Sequence, residues 1–233
     1  MTENQQNQTE YEVLPEEVTQ ANFTFKIIVI GDSSVGKSSL TLRATKDHFK
    51  DYYTPTIGFE FLSFNIRIKG QIIKLQIWDT CGQEVYRSLI SSFYRNSSLA
   101  IIVYAIDNQE SFDNLESWLD EIKSQTHPNL KIFLIGNKVD LEDKRVIKTK
   151  EAEELVKEHN IDLFLETSAK TGYNTQEVFV KAAQILLDNF KKYETEGRES
   201  CISGKTSVTL SSQDNENENE KDNEDNCRRR KCC

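Results

Sequence analysis

Apolar and polar positions alternate in blocks along the chain from Phe23 to about Tyr193. A block of consecutive apolar residues, with no polar residue at every second position, predicts a strand that is covered on both faces, as in a parallel sheet. Such runs occur at residues 25–30, 99–106, 131–136 and 163–167. Two further β-rich runs, 59–69 and 72–78, are separated by Gly70-Gln71 and predict a hairpin.

Helical patterns lie between these strands. Residues 38–44 favour a helix, and an apolar stripe from Phe112 to Ile122 predicts another, with Asn108 or Ser111 as its N-cap. A similar stripe runs from Val178 to Leu186 and is interpreted, like the first, as a core face. The alternation predicts a doubly wound, three-layer α/β domain. We expect a six-stranded, mostly parallel sheet with one antiparallel edge strand and helices on both faces.

Composition divides the chain into three parts. Residues 1–21 are rich in Gln, Asn and Glu and are predicted to form a disordered extension; residues 22–193 form the domain. Residues 194–233 are predicted to be a disordered hypervariable tail with a low-complexity acidic run at 214–226. No apolar run is long enough for a transmembrane helix, and the N-terminus lacks the features of a secretory signal.

Charge and cysteine usage narrow the function classes. The net charge of −9 argues against nucleic-acid binding, which needs a basic face. Of the five cysteines only Cys81 lies in the patterned region, which is a poor disulfide framework. We therefore expect a reducing, cytosolic environment.

A phosphate-binding motif follows the first predicted strand. GDSSVGKS, from Gly31 to Ser38, matches G-x-x-x-x-G-K-[ST] and opens a predicted helix. The backbone N–H groups of such a loop face an anion, and the helix N-terminus adds partial positive charge. Lys37 can reach the β- and γ-phosphates, and the Ser38 hydroxyl can bind Mg²⁺. The motif predicts a P-loop NTPase fold, but it is shared by ATPases, kinases and GTPases.

A second motif indicates which base is bound. NKVD (137–140) follows another predicted strand. The Asp140 carboxylate can accept hydrogen bonds from N1 and the 2-amino group of guanine, a donor pair that adenine lacks. Asn137 can hold the base edge and the neighbouring loop, and the Lys138 stem can cover the ring. TSAK (167–170) ends the next strand, where the Ala169 N–H can meet the guanine O6. All these groups lie at strand ends, where ligands bind in such sheets.

A third set of residues is suited to the γ-phosphate. Asp79, at a strand end, fits the acidic residue near Mg²⁺ in P-loop enzymes. Gly82 would let its N–H approach the γ-phosphate, and Gln83 can orient the attacking water. Thr56 can bind Mg²⁺ through its hydroxyl. Because these contacts need GTP, hydrolysis is expected to release both loops.

Taken together, GDSSVGKS, TIGFEF, KLQIWDTCGQE, NKVD and ETSAK resemble the Ras superfamily of small GTPases. IGFEF, QEVYRS and the terminal pair of cysteines resemble Rab proteins. The resemblance implies GTP or GDP with Mg²⁺ as cofactors, Gln83 and Lys37 as catalytic residues, and Ser38, Thr56 and Asp79 around the metal. It places the remaining nucleotide contacts at Gly31, Ser33, Ser34, Val35, Gly36, Ser39, Phe49, Gly82, Asn137, Lys138, Asp140, Ser168, Ala169 and Lys170. For Phe49, a core contact under the first helix is the alternative.

The resemblance also implies partners and a location. No arginine in the matching motifs can serve as a finger, so hydrolysis should be slow without an activating protein; such a finger adds about 10³–10⁵ in rate. The implied partners are an exchange factor, an activating protein, a GDP dissociation inhibitor, a prenylation escort protein and effectors that bind the switch loops. Cys232 and Cys233 would be geranylgeranylated, and two lipid chains give stable anchoring. We expect a monomer in the cytosol and on the cytoplasmic face of an endomembrane. A chance cysteine pair or a metal-binding tract is the alternative.

Some residues depart from the Rab pattern, and two other functions compete. Cys81 replaces the usual Ala, either as a small buried hydrophobe or as a redox-sensing thiol. Val85 and FYRNSS also differ, which affects the assignment of effectors rather than nucleotide binding. One rival is a nucleotide-loaded scaffold with negligible turnover, against which Gln83 and Thr56 speak. The other is a P-loop ATPase or kinase, against which Asp140 speaks.

Overall fold

The computed structural model describes residues 11–18, 20–52, 56, 58–81 and 94–203, with side chains described through residue 193. The chain divides into two units, Met1–Lys192 and Tyr193–Cys233. The first contains a seven-stranded sheet with helices around it. In the second, residues 193–203 are helical.

The sheet is mostly parallel, as predicted. Its spatial order is β1-β3-β4-β2-β5-β6-β7. Strands β4, β2, β5, β6 and β7 pair in parallel, and β3 is antiparallel to both of its neighbours. The strands are β1 (Tyr11–Leu14), β2 (Phe23–Ile30), β3 (Phe59–Ile68), β4 (Gln71–Thr80), β5 (Leu99–Ala105), β6 (Lys131–Asn137) and β7 (Leu163–Thr167). The predicted β3–β4 hairpin is confirmed, with Lys69 and Gly70 at positive φ in its turn.

The prediction of six strands with an antiparallel edge was wrong in one respect. The antiparallel strand β3 is not an edge, because β1 pairs with it from Tyr11↔Ile68 to Leu14↔Asn65. Disorder was expected for all of residues 1–21, yet Tyr11–Leu14 is a strand. The reason is local: YEVL is a short β-compatible run inside a polar segment, and the open edge of β3 supplies its hydrogen bonds.

The helices are α1 (Lys37–Lys46), α2 (Gln109–Asp113), α3 (Leu115–Gln125), α4 (Thr149–His159) and α5 (Thr175–Ser203), with a 3₁₀ helix at Val139–Lys144. The predicted N-cap Asn108 is confirmed, since its Oδ1 accepts from the Ser111 N–H at 3.1 Å. The stripe from Phe112 to Ile122 is divided between α2 and α3 at Asn114. The last helix continues ten residues beyond the predicted domain boundary at 193, to Ser203.

The core lies on both faces of the sheet, as the continuous apolar runs predict. Ile27 and Val29 of β2 pack with α1 and α5 on one face, whereas Ile28 and Ile30 pack with α3 on the other. Full burial of each such side chain contributes about 1.5–3 kcal/mol. In the described part of the chain, no helix is both long and apolar enough to cross a bilayer.

Candidate nucleotide-binding site

A cleft of about 680 Å³ opens at the carboxyl ends of β2 and β6, beside the loop between α1 and β3. Its volume lies within the usual range of small-molecule sites, about 300–1,000 Å³. Many of the residues predicted from the sequence line it: Ser33, Ser34, Gly36, Lys37, Ser38, Ser39, Phe49, Thr56, Asn137, Lys138, Asp140, Ala169 and Lys170. Sequence reasoning missed other lining residues, among them His48, Tyr52 and Leu141, because their types carry no motif.

The loop from Gly31 to Ser38 requires glycine at two positions. Gly31 has a φ of 131°, and a Cβ there would lie 2.2 Å from the carbonyl oxygen of Val103. Gly36 has a φ of 96°, and its Cβ would lie 2.4 Å from Asn137 Nδ2. Because glycine has no Cβ, the backbone can turn sharply against β5 and β6 at these two positions before α1 begins. The turn places the loop along the cleft wall at the α1 N-terminus, where an anion is favoured.

Lys37 is buried at the floor of this loop. Its side chain is 5% exposed, and Nζ donates to the carbonyl oxygens of Gly31 at 2.8 Å and Asp32 at 2.7 Å. Burial lowers the pKa of Lys37 to about 8, while the carboxylates of Asp79 and Asp32 oppose that shift. The ammonium therefore lies among loop carbonyls at the position where phosphate oxygens would meet it.

Three predicted metal ligands meet beside Lys37. The hydroxyls of Ser38 and Thr56 are 2.7 Å apart, and the Ser38 hydroxyl also donates to Asp79 Oδ2. Asp79 is fully buried, and burial raises its pKa to about 7, partly offset by the Ser38 hydrogen bond and by Lys37. Among the described residues, Asp79 Oδ1 has no hydrogen-bond partner. A buried carboxylate oxygen without a partner beside two hydroxyls is a set of hard donors that fits Mg²⁺.

Asn137 connects three parts of the site. Its Nδ2 donates to the Val35 carbonyl oxygen at 2.9 Å. Its Oδ1 accepts from Thr167 Oγ1 at 3.2 Å and from the Ala169 N–H at 3.3 Å. The Ala169 N–H, predicted to meet the guanine O6, thus contacts Asn137 here. Thr167 helps to hold the Asn137 side chain in place, although the sequence suggested no role for this threonine beyond the TSAK motif.

The carboxylate of Asp140 is held from the next strand. Ser168 Oγ donates to Asp140 Oδ1 at 2.5 Å and accepts from the Thr171 N–H at 3.1 Å. Lys138 has a φ of 72°, and its Nζ lies 3.5 Å from Asp107 Oδ1. Asp107 lies two residues after the end of β5, and this position near a strand end is the signal that could have identified it.

Some predicted residues lie elsewhere. Gly31, Val35, Asp79 and Ser168 are not in the cleft lining; they support it from beneath or from the side through the contacts above. Gly82, Gln83, Val85, Cys232 and Cys233 lie outside the described residues.

Cys81 is 3% exposed, in keeping with a small buried hydrophobe, and its N–H donates to the Gly58 carbonyl oxygen at 3.0 Å. This bond ties the end of β4 to the start of β3.

Three features together define a P-loop nucleotide-binding protein. They are the loop between β2 and α1 with the buried Lys37, the oxygen donors of Ser38, Thr56 and Asp79, and the Asp140 carboxylate held by Ser168. A comparison with protein-family models matches the Ras family over residues 26–188. The chain belongs to the Ras family and is a small GTPase. Ras-family GTPases bind GTP and GDP with Mg²⁺, hydrolyse GTP, and interact with exchange factors, activating proteins and effectors.

Proposed function

We propose that this chain is a Rab-type small GTPase that times the recruitment of effectors in intracellular vesicle trafficking. It cycles between GDP and GTP states, and the γ-phosphate controls the segments around Thr56 and Gln83. The observation that carries this proposal is an aromatic patch, formed by Phe59, Phe61 and Trp78, next to Thr56.

The aromatic patch is exposed although it is apolar. Phe59 and Phe61 are 49% and 46% exposed, and each ring centroid lies 5.3 Å from that of Trp78. Exposed aromatic clusters of this kind typically mark protein-binding surfaces. Because β3 begins three residues after Thr56, a contact between Thr56 and the γ-phosphate would fix the position of the patch. An effector that binds the patch would then distinguish the GTP state from the GDP state.

The chemistry follows from the residues of the cleft. Asp140 and Asn137 select and position guanine, and the loop N–H groups with Lys37 hold the phosphates. Ser38, Thr56 and Asp79 would hold Mg²⁺, which neutralises the charge that develops on the phosphate oxygens. Gln83 orients the attacking water. Since no arginine is assigned to the site, turnover depends on an activating protein.

The guanine preference is tested by Asp140→Asn. The amide cannot accept two hydrogen bonds from guanine in the same way, and it can donate to the carbonyl of xanthine. We expect GDP affinity to fall and XDP affinity to rise, measured by competition against a fluorescent nucleotide. Asp143→Asn, on the exposed side of the same 3₁₀ helix, is the control. Unchanged GDP affinity in Asp140→Asn would contradict this assignment.

Hydrolysis is tested by single-turnover assays with GTP and Mg²⁺, with and without an activating protein. We expect slow hydrolysis alone and strong stimulation by the activating protein. Gln83→Leu should reduce both rates and leave GDP affinity unchanged. A wild-type chain that binds GTP but does not turn it over under either condition would favour a nucleotide-loaded scaffold.

We propose that geranylgeranyl groups on Cys232 and Cys233 hold the protein on the cytoplasmic face of an endomembrane, with a prenylation escort protein and a GDP dissociation inhibitor as partners. The acidic run 214–226 carries seven acids and one lysine and precedes the basic segment 228–231. We infer that this run weakens the attraction of the basic segment to anionic lipids. Replacing both cysteines by serine should release the protein to the cytosol, whereas neutralising 228–231 should change membrane occupancy little. A large release in the second variant would overturn this inference.

A further inference from the structure

Besides its electrostatic effect on Lys37, the carboxylate of Asp32 makes a second set of contacts with residues outside the cleft lining. Both oxygens of Asp32 accept hydrogen bonds from residues more than eighty positions away. Trp118 Nε1 donates to Asp32 Oδ1 at 2.8 Å, and Asn114 Nδ2 donates to Asp32 Oδ2 at 2.7 Å. We call these two contacts the Asp32 anchor. They join the phosphate loop to the junction between α2 and α3.

One donor of the Asp32 anchor, Asn114, lies at the junction of two helices and has a helical backbone, with φ −76° and ψ −7°. Asn114 is the N-cap residue of α3, but its side chain makes no capping hydrogen bond. Asn114 also lies where the apolar stripe is divided into two helices. The Asn114 side chain, which makes no capping bond to α3, donates to Asp32 instead.

Trp118 adds a second constraint. It is among the largest buried side chains of the core, with 2% exposure, and from α3 it joins the apolar cluster that contains residues of β5. A buried indole N–H needs an acceptor, and Asp32 supplies it. The indole therefore links a rigid part of the core to the beginning of the phosphate loop.

The phosphate loop is thus attached on two sides. The Asp32 anchor holds its start from α3, and Asn137 holds the Val35 carbonyl oxygen from β6. Ser33 and Ser34, which line the cleft, lie between these two attachments, and Ser34 adopts a positive φ of 65°. Fixing both ends of this short strained segment preorganises its N–H groups, which lowers the cost of ordering them when phosphate binds.

We propose that Asp32 is a positioning residue, which with Asn114 and Trp118 holds the phosphate loop in its nucleotide-binding conformation and so lengthens the residence time of the nucleotide. The inference rests on guanine-nucleotide binding at this loop. It assigns to the α2–α3 junction, outside the cleft, a part in setting how fast nucleotide leaves.

The test compares variants that remove the anchor with a control that removes a bond of the same kind elsewhere on α3. Trp118→Phe removes the indole donor but keeps an aromatic side chain, and Asp32→Asn keeps the shape of the acceptor. The control is Tyr94→Phe, which removes a hydroxyl that donates to Glu121 Oε1 at 2.8 Å. For each protein we would measure the release rate of fluorescent GDP with Mg²⁺ present, the thermal midpoint, and hydrogen exchange in residues 33–38.

We expect GDP release to be faster by about tenfold in Trp118→Phe and in Asp32→Asn, with faster exchange in 33–38. The control should lose thermal stability to a similar degree but keep release and exchange within about twofold of wild type. The double variant, Asp32→Asn with Trp118→Phe, should release GDP no faster than the more affected single variant, because both substitutions disrupt the same anchor.

Release rates that follow the thermal midpoint in every variant, the control included, would overturn the proposal and leave Trp118 a packing residue. Unchanged exchange in 33–38 in both anchor variants would overturn it as well. Failure of the guanine-nucleotide binding on which the inference rests would look different, since the wild-type protein itself would then not retain GDP.

Discussion

At the scale of single residues, the site is defined by charged groups that are buried beside one another. Asp79 is fully buried with its pKa raised to about 7, and Lys37 is nearly buried with its pKa lowered to about 8. In both cases desolvation is the largest cause, which means that attraction between the two groups does not fully compensate for their burial. Such groups are maintained for binding rather than for stability.

The raised pKa of Asp79 predicts how stability depends on pH. The carboxyl has its ordinary pKa of 3.8 in the unfolded chain and about 7 in the folded protein. Between these values the folded protein binds more protons, so the free energy of unfolding contributed by Asp79 falls as pH rises through this window. We expect Asp79→Asn to stabilise the nucleotide-free, Mg²⁺-free protein more at about pH 7.5 than at about pH 5.

Urea unfolding of both proteins at the two pH values measures this difference. In the wild-type protein Lys37 titrates in a higher window, between its folded pKa of about 8 and its ordinary value of 10.5. Equal differences between Asp79→Asn and wild type at the two pH values would show that the carboxyl does not titrate in this range.

Ser168 gives a second prediction at this scale. Its hydroxyl donates to Asp140 at 2.5 Å and holds the carboxylate that is proposed to select guanine. Ser168→Ala removes a hydrogen bond to a charged group, worth about 1.5–3 kcal/mol, so GDP affinity should fall by roughly tenfold or more. Isothermal titration measures the affinity, with Ser124→Ala, an exposed serine on α3, as the control. Wild-type affinity in Ser168→Ala would mean that Asp140 is held without it.

At the scale of elements, the β3–β4 hairpin connects two of the three segments that are proposed to bind Mg²⁺. Thr56 precedes β3, Asp79 lies near the end of β4, and Phe61 of the aromatic patch pairs with Trp78 in the same ladder. The other end of the hairpin is covered by the N-terminal segment. There the buried Asn65 donates through Nδ2 to the carbonyl oxygens of Pro15 at 2.8 Å and Glu16 at 3.2 Å.

Removing that cover should destabilise the protein. Deleting residues 1–18 exposes the edge of β3 and removes the hydrogen bonds of the Asn65 amide, and a typical hydrogen bond contributes about 0.5–1.5 kcal/mol. We expect a lower free energy of unfolding, and self-association through the open edge at high concentration. Chemical denaturation and light scattering measure both effects. Deletion of residues 1–10, which keeps β1, is the control, and equal stability of the two deletions would refute the role of β1.

At the scale of the whole molecule, the cleft is assembled from segments that are far apart in sequence. Because ligands bind only the folded protein, Mg²⁺ and nucleotide should raise its stability by mass action, about 2.7 kcal/mol at a hundredfold excess over Kd. Chelation of Mg²⁺ should therefore lower the thermal midpoint of the GDP complex and accelerate GDP release.

The effect of chelation on GDP release also tests whether Asp79 binds the metal. In Asp79→Asn, where the metal loses its carboxylate, chelation should change GDP release much less than in wild type. Stopped-flow measurements of fluorescent GDP with and without EDTA provide the comparison. An undiminished response in Asp79→Asn would place the metal on other groups.

The sequence alone determined the fold class and most of the cleft. Continuous apolar strands and short motifs are local signals, and Lys37, Asn137 and Asp140 could be read from them because glycine loops and strand ends have few chemical alternatives. The predicted helix was divided at Asn114, and β1 was missed, because both depend on partners distant in the chain. Only the tertiary structure decided that Asp32 is held by Trp118 and that, among the described residues, the buried Asp79 Oδ1 has no hydrogen-bond partner. Burial, and contacts between residues more than eighty positions apart in the chain, arise from packing, which no local sequence pattern encodes.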